Sequence, residues 1–181
     1  QDIHDEFVHR YVERVKRLKV GDPKDPKTII GPIINQQQFK GIMTLIESAR
    51  KEGAKEMLGG APKGLVIPPH IFTAVTMKMT IAREEIFGPV APITRFATLE
   101  EAISLANDTE YGLAAYAYTR DLATALRLPE ELDTGMVGPN GGVISNAAAP
   151  FGGVKHSGFG REGGPEGIEE FLETKYVGLG T

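Results

Sequence analysis

Glu84-Glu85-Ile86-Phe87-Gly88-Pro89, with the apolar run 91–96 close behind it, decides how this chain folds. Gly88-Pro89 stops a helix at once, because proline fixes its own φ and pushes the preceding residue toward extended geometry. Glu85 and Phe87 are therefore expected on a loop, and the run that follows has the length of a buried strand. Taken alone, the hexapeptide reads as a solvated acidic turn with Phe87 in the core. Its surroundings change that reading.

Upstream, Phe7, Val8, Tyr11, Val12, Val15 and Leu18 recur at helical spacing, with Asp5 placed to cap the helix and basic residues toward its end. Gly21-Asp22-Pro23-Lys24-Asp25-Pro26 breaks it. A second amphipathic helix is predicted over residues 35–51 with Phe39, Ile42, Met43, Ile46 and Ala49 inward and Gly53 as its C-terminal cap. Strands are predicted over 54–60 and 71–75. Downstream of the run 91–96, Thr98 and Glu101 have capping-box spacing for a helix to about residue 106. A buried strand follows over 113–118, then a helix capped by Asp121 and interrupted by Pro129, then a short strand at Met136-Val137-Gly138. Strands that alternate with helices and lack polar alternation predict an α/β fold: a three-layer αβα arrangement around a mostly parallel open sheet. A ligand site is expected beyond the carboxyl ends of those strands.

With 181 residues, 41% hydrophobic and 24% charged, the chain is long enough for one domain with a sizeable core. A formal charge of −4 and the lack of a basic run argue against nucleic acid or an acidic membrane as partner. No apolar run approaches the roughly 18 residues of a membrane span, and no leader pattern opens the chain, so a cytoplasmic protein is expected. Gln1 in place of a starting Met gives the appearance of a chain that begins mid-protein. Zero cysteines exclude disulfides, thiolate metal sites and a cysteine nucleophile on these residues. His4, His9, His70 and His156 are scattered without metal-ligand spacing, so no metal site is predicted and all four are expected at the surface.

From Asn140 the composition turns to Gly, Ala and Ser, and residues 150–164 are rich in glycine. Gly158, Gly160 and Gly163 match the G-x-G-x-x-G spacing of a dinucleotide fingerprint, but no strand precedes them and the chain ends before a ribose-binding acid could follow. The match is rejected. Ile168, Phe171 and Leu172 suit a short helix, and 174–179 a terminal strand that would seek pairing with another chain.

Four stretches in one order, Glu84 to Pro89, Tyr111-Gly112-Leu113-Ala114-Ala115-Tyr116, Asp133-Thr134-Gly135-Met136-Val137 and the glycine-rich loop from Pro150 to Gly164, resemble the C-terminal part of NAD(P)-dependent aldehyde dehydrogenases. Through Val143-Ile144-Ser145-Asn146-Ala147-Ala148-Ala149-Pro150-Phe151-Gly152-Gly153 the likeness is greatest to succinate-semialdehyde dehydrogenases. The resemblance implies a catalytic-domain portion over about 1–163, an oligomerisation segment over about 164–181 with its terminal strand, and no dinucleotide-binding domain. It implies NAD or NADP as cofactor, a small aldehyde as substrate and a homo-oligomer. Residue by residue, Glu85 matches the glutamate that holds the nicotinamide ribose hydroxyls, and Phe87 the aromatic beside the nicotinamide. Gln38 matches a ribose contact, with a surface helix glutamine as the alternative. Phe151 matches an aromatic lining the aldehyde tunnel or is a core phenylalanine. Ser145 matches a hydroxyl that meets the distal carboxylate of succinate semialdehyde, and is otherwise an ordinary loop serine.

In that family a cysteine thiolate attacks the aldehyde and a glutamate activates the water that releases the acid. By the resemblance, the cysteine and the general base lie upstream of Gln1, which makes this chain a fragment expected to be inactive alone. Two other readings compete: a noncatalytic scaffold or oligomerisation module, and a phosphate or nucleotide binder using convergent amides of the residues 158–164 at a helix N-terminus.

Overall fold

Asn35 starts the element around which the first half of the chain is built. Its backbone is extended and its side chain accepts a hydrogen bond from Gln38 N at 2.8 Å, so α2 begins at the next residue and runs over Gln36–Lys51. In the computed structural model, which describes residues 2–180, the chain forms two compact units, Gln1–Leu99 and Glu100–Thr181.

The first unit holds α1 (His4–Val15), α2, β1 (Lys55–Leu58), β2 (His70–Thr73), the one-turn α3 (Thr80–Arg83) and β3 (Val90–Pro92). Its sheet has the order β1-β2-β3, with β2 antiparallel to β1 and parallel to β3. Alternation along β2 sends Phe72 to the face covered by Ile42, Ile46 and Ala49 of α2, and Ile71 to the face covered by Val8, Val12 and Val15 of α1. Helix, sheet and helix thus stack as layers. Each isoleucine that α2 buries contributes about 1.5–3 kcal/mol.

The second unit is a βαβ crossover preceded by α4 (Leu99–Asn107): β4 (Ala114–Ala117), α5 (Leu122–Glu131) and β5 (Met136–Pro139), with β4 and β5 parallel. Asn107 ties the end of α5 down, donating to Glu131 O at 2.7 Å and accepting from Asp133 N at 2.9 Å. The rest is loop with two 3-10 turns, Lys155–Ser157 and Glu166–Phe171.

Several expectations need correction. Asp5 is no cap; it lies inside the first turn of α1, where its carboxylate meets His4 Nδ1 at 2.7 Å. Phe7 and Tyr11 stack on one another at 5.7 Å between ring centres on the exposed side of α1, so the buried stripe reduces to its valines. Pro129 does not end α5, which continues to Glu131, because the N–H that proline lacks is lost only in the final turn. The strand expected over 91–96 shortens to Val90–Pro92. Residues 172–180 form no strand and stand exposed, and no strand pairs with them among the described residues.

Among the histidines, His70 is the clear miss. It is 1% exposed on β2, with Nδ1 at 2.8 Å from Glu56 Oε1 and its ring stacked against Phe72. His4 is largely buried as well, whereas His9 and His156 lie at the surface as expected.

Candidate functional site

Glu52, at the C-terminal end of α2, takes both the N–H and the hydroxyl of Thr80 at 2.7 Å each and so caps α3 from outside it. The turn closes with Glu84 N on Thr80 O at 3.1 Å, and the backbone then extends at Glu84. This is how the chain delivers the loop 84–89. The loop is fixed at its far end by His70 N, which donates to Pro89 O at 2.9 Å, and it leads directly into β3.

Between these anchors the side chains divide. Ile86 packs against the α2 core, and its carbonyl accepts from Gln38 Nε2 at 3.4 Å. Glu85 and Phe87 on either side are exposed. Phe87 is 74% exposed and sits at φ 45°, a left-handed conformation that costs a phenylalanine about 1–2 kcal/mol. A large apolar ring held outward at a backbone cost is the mark of a contact surface. It excludes the core placement of Phe87. Gly88 follows because a Cβ there would lie 2.8 Å from Ile42 Cδ1. The loop rides directly on α2.

In the second unit, Ser145 is exposed on the loop after β5, beside Asn146, whose side chain accepts from Ala148 N at 2.9 Å. Phe151 is half-buried and exchanges both backbone hydrogen bonds with Glu162 at 2.7 Å. Its neighbourhood is a cavity of about 430 Å³ lined in part by Leu113, Phe159, Arg161, Glu170 and Phe171. The glycine-rich amides are used internally: Gly158 N bonds Lys155 O, Glu162 N bonds Phe151 O and Gly164 N bonds Ala147 O. Amides already paired within the chain are not free to take an anion, which weighs against the phosphate-binding reading.

The structure therefore brings Gln38 to the loop of Glu85 and Phe87, and it places Ser145 and Phe151 in the other unit. Two residues with a part in these loops escape sequence reading. Glu52 caps a helix 28 positions away, and Arg161 donates to the carbonyls of Gly153 and Gly160 at 2.9 and 2.7 Å. No local pattern marks either contact. Charge effects concentrate elsewhere: Arg50, bidentate on Glu56 at 2.8 and 2.9 Å, holds that carboxyl below the usual range, and the His70 contact adds to this. Among the described residues no group of three or more His, Asp or Glu is placed to hold a metal ion, and no helix is long and apolar enough to cross a membrane.

Residues 1–177 match the family model described as aldehyde dehydrogenase family. The chain belongs to the aldehyde dehydrogenase family. Among its relatives in this family are a succinate-semialdehyde dehydrogenase of Paenarthrobacter nicotinovorans, 46% identical over 99% of this chain and 40% of its own length, and retinaldehyde dehydrogenase 3 of Homo sapiens, 49% identical over 98% and 35%. Solved aldehyde dehydrogenases share the fold. That of Brucella melitensis biovar abortus 2308 superposes with a TM-score of 0.91 at 50% identity, over 97% of this chain and 36% of the other. Betaine aldehyde dehydrogenase of Staphylococcus aureus in complex with NAD+ gives 0.92 at 38% identity, over 98% and 37%. The chain thus spans between a third and two fifths of the length of these dehydrogenases. Both cofactors occur among relatives: one is a probable succinate-semialdehyde dehydrogenase [NADP(+)] of Sinorhizobium fredii.

Proposed function

We propose that this chain is the C-terminal portion of an NAD(P)-dependent aldehyde dehydrogenase, in which it supplies the loop that orients the nicotinamide riboside and part of the wall of the aldehyde path. The observation that carries the reading is the division of the loop 84–89, with Ile86 anchored and the Glu85 carboxylate and Phe87 ring turned outward. These groups fit the cofactor's chemistry. An ionised carboxylate accepts from the two hydroxyls of a ribose, and an exposed aromatic face packs on a planar ring. Glu85 and Phe87 would hold the nicotinamide riboside of NAD or NADP, which when bound would supply the hydride acceptor; their own part is to keep the ring in place. Gln38 contributes through its bond to the Ile86 carbonyl.

The nucleophile is not among these residues, since the sequence contains no cysteine. The isolated chain is therefore inactive, and it divides into a catalytic portion over about 1–163 and an oligomerisation segment over about 164–181. The exposed Ile168, Phe171, Tyr176 and Leu179 give that segment an apolar surface for a second copy of the chain. Succinate semialdehyde is the proposed substrate, with Ser145 donating to its distal carboxylate and Phe151 lining its path. The exposure of Ser145 and the succinate-semialdehyde dehydrogenases among the relatives support this choice.

The test is nicotinamide absorbance on succinate semialdehyde, with NAD and then NADP, for this chain and for the full-length polypeptide that carries it. Turnover by the long form alone, weakened by Glu85→Gln through a raised KM for the cofactor, supports the reading. Turnover by the 181-residue chain, or a Glu85→Gln enzyme indistinguishable from wild type, overturns it.

A further inference from the structure

The loop that carries Phe151 is closed by one guanidinium. Its two limbs, residues 151–153 and 160–162, run side by side, with Phe151 and Glu162 exchanging both backbone hydrogen bonds at 2.7 Å. Arg161 Nη1 donates to Gly153 O on one limb at 2.9 Å and to Gly160 O on the other at 2.7 Å. Its backbone N–H is taken by Glu170 Oε1 at 3.1 Å. The limbs also touch directly, since a Cβ at Gly152 would lie 2.4 Å from Gly160 O and 2.8 Å from Arg161 Cδ. Hydrogen bonds from a charged donor are stronger than neutral ones, and a half-buried carbonyl that loses its donor bears a desolvation cost. The register of the Phe151–Glu162 pair is thus held from both sides by one side chain.

We propose that Arg161 is a positioning residue for the aldehyde: by joining the Gly153 and Gly160 carbonyls it fixes the direction in which the Phe151 ring faces the substrate path. The inference rests on the reading of Phe151 as part of that path. Both hydrogens of Arg161 Nη1 are spent on backbone carbonyls, so this nitrogen acts on the loop and not on the substrate. A lysine substitutes imperfectly, since its ammonium is a single point on a flexible stem and lacks the planar fork of arginine.

The experiment uses the full-length polypeptide with Phe151→Ala, Arg161→Met, Arg161→Lys and the double variant Phe151→Ala/Arg161→Met. Steady-state constants are measured for aldehyde and nucleotide, with a thermal midpoint for each protein. Arg161→Met is expected to raise the aldehyde KM about tenfold, since small displacements of a positioning group carry large kinetic penalties. The nucleotide KM is expected to stay within about twofold, and Arg161→Lys to fall between wild type and Arg161→Met. The double variant is expected to be no worse than Phe151→Ala alone, because the ring that Arg161 directs has gone. A merely structural arginine gives the opposite pattern: additive losses, with both KM values and kcat following the thermal midpoint. That result overturns the proposal. If Arg161→Met does not fold, Arg161→Lys takes its place in the same cycle. An aldehyde KM raised by Phe151→Ala but by neither arginine variant overturns the role of Arg161 alone. An aldehyde KM untouched by Phe151→Ala overturns the reading of Phe151 and the proposal with it.

Discussion

Gly88→Ala tests how the loop 84–89 is carried. A Cβ at this position would lie 2.8 Å from Ile42 Cδ1, 3.0 Å from Cγ1 and 3.1 Å from Cγ2. Ile42 is 1% exposed and packed in the core with Ile46, Phe72 and Ile81, so it has nowhere to retreat. Gly88 does not have a positive φ, and the substitution therefore probes contact, not backbone strain. Forcing a methyl into a filled core costs about 1–3 kcal/mol. For a chain of this size that is a fall of about 5 °C in the melting midpoint. Urea and thermal unfolding of Gly88→Ala, Ile42→Val and the double variant make the assay. Ile42→Val alone costs about 1 kcal/mol, but it removes the Cδ1 atom that obstructs the new methyl. The double variant is expected to lose about 1 kcal/mol less than the sum of the single losses. A Gly88→Ala protein that melts with wild type, or strictly additive losses, would refute the claim that this loop rests on Ile42.

Asn35→Ala removes the acceptor for Gln38 N and is expected to lower stability by about 1 kcal/mol in urea unfolding, with Asn35→Ser restoring most of it. Phe87→Asn should leave the melting midpoint unchanged or slightly raised, because an exposed ring is lost and asparagine tolerates the left-handed conformation; the same change in the full-length enzyme should raise the cofactor KM. Glu56 has a folded-state pKa below its ordinary value of 4.5, chiefly through Arg50 and then through His70, so its contribution to stability is complete above that pH and is lost as the pH falls below it. Stability curves between pH 3 and 6 should accordingly be flatter on the acid side for Glu56→Gln, and an unchanged acid limb would contradict the assignment.

The elements legible in the sequence are those whose signals are local. Asp121 is such a case, starting α5 by accepting from Thr124 N at 2.7 Å three positions on. The loop at Gly88-Pro89 was equally plain, because proline acts on its own neighbour. What the sequence hid depends on pairing at a distance. His70 reads as a surface residue until β1 and β2 align and bring Glu56 beside it. Asp5 has the chemistry of a cap, yet the helix starts one residue before it. The segment 174–179 has strand composition but no partner strand among the described residues. The backbone conformation and exposure of Phe87 are not legible either, since nothing in six residues encodes a φ of 45°.

His70 has a consequence for how the molecule can be watched. Arg50 keeps the Glu56 carboxylate ionised and therefore purely an acceptor, so the neutral imidazole must carry its proton on Nδ1. Its Nε2 faces the interior, with no donor or acceptor beside it among the described residues. The ring is thereby held as the tautomer less common for free histidine, its proton donated to a carboxylate that is itself only partly buried. In a nitrogen-resolved spectrum the imidazole of this one side chain would therefore show its proton on Nδ1, a reporter of the pairing between β1 and β2 that brings Glu56 to it.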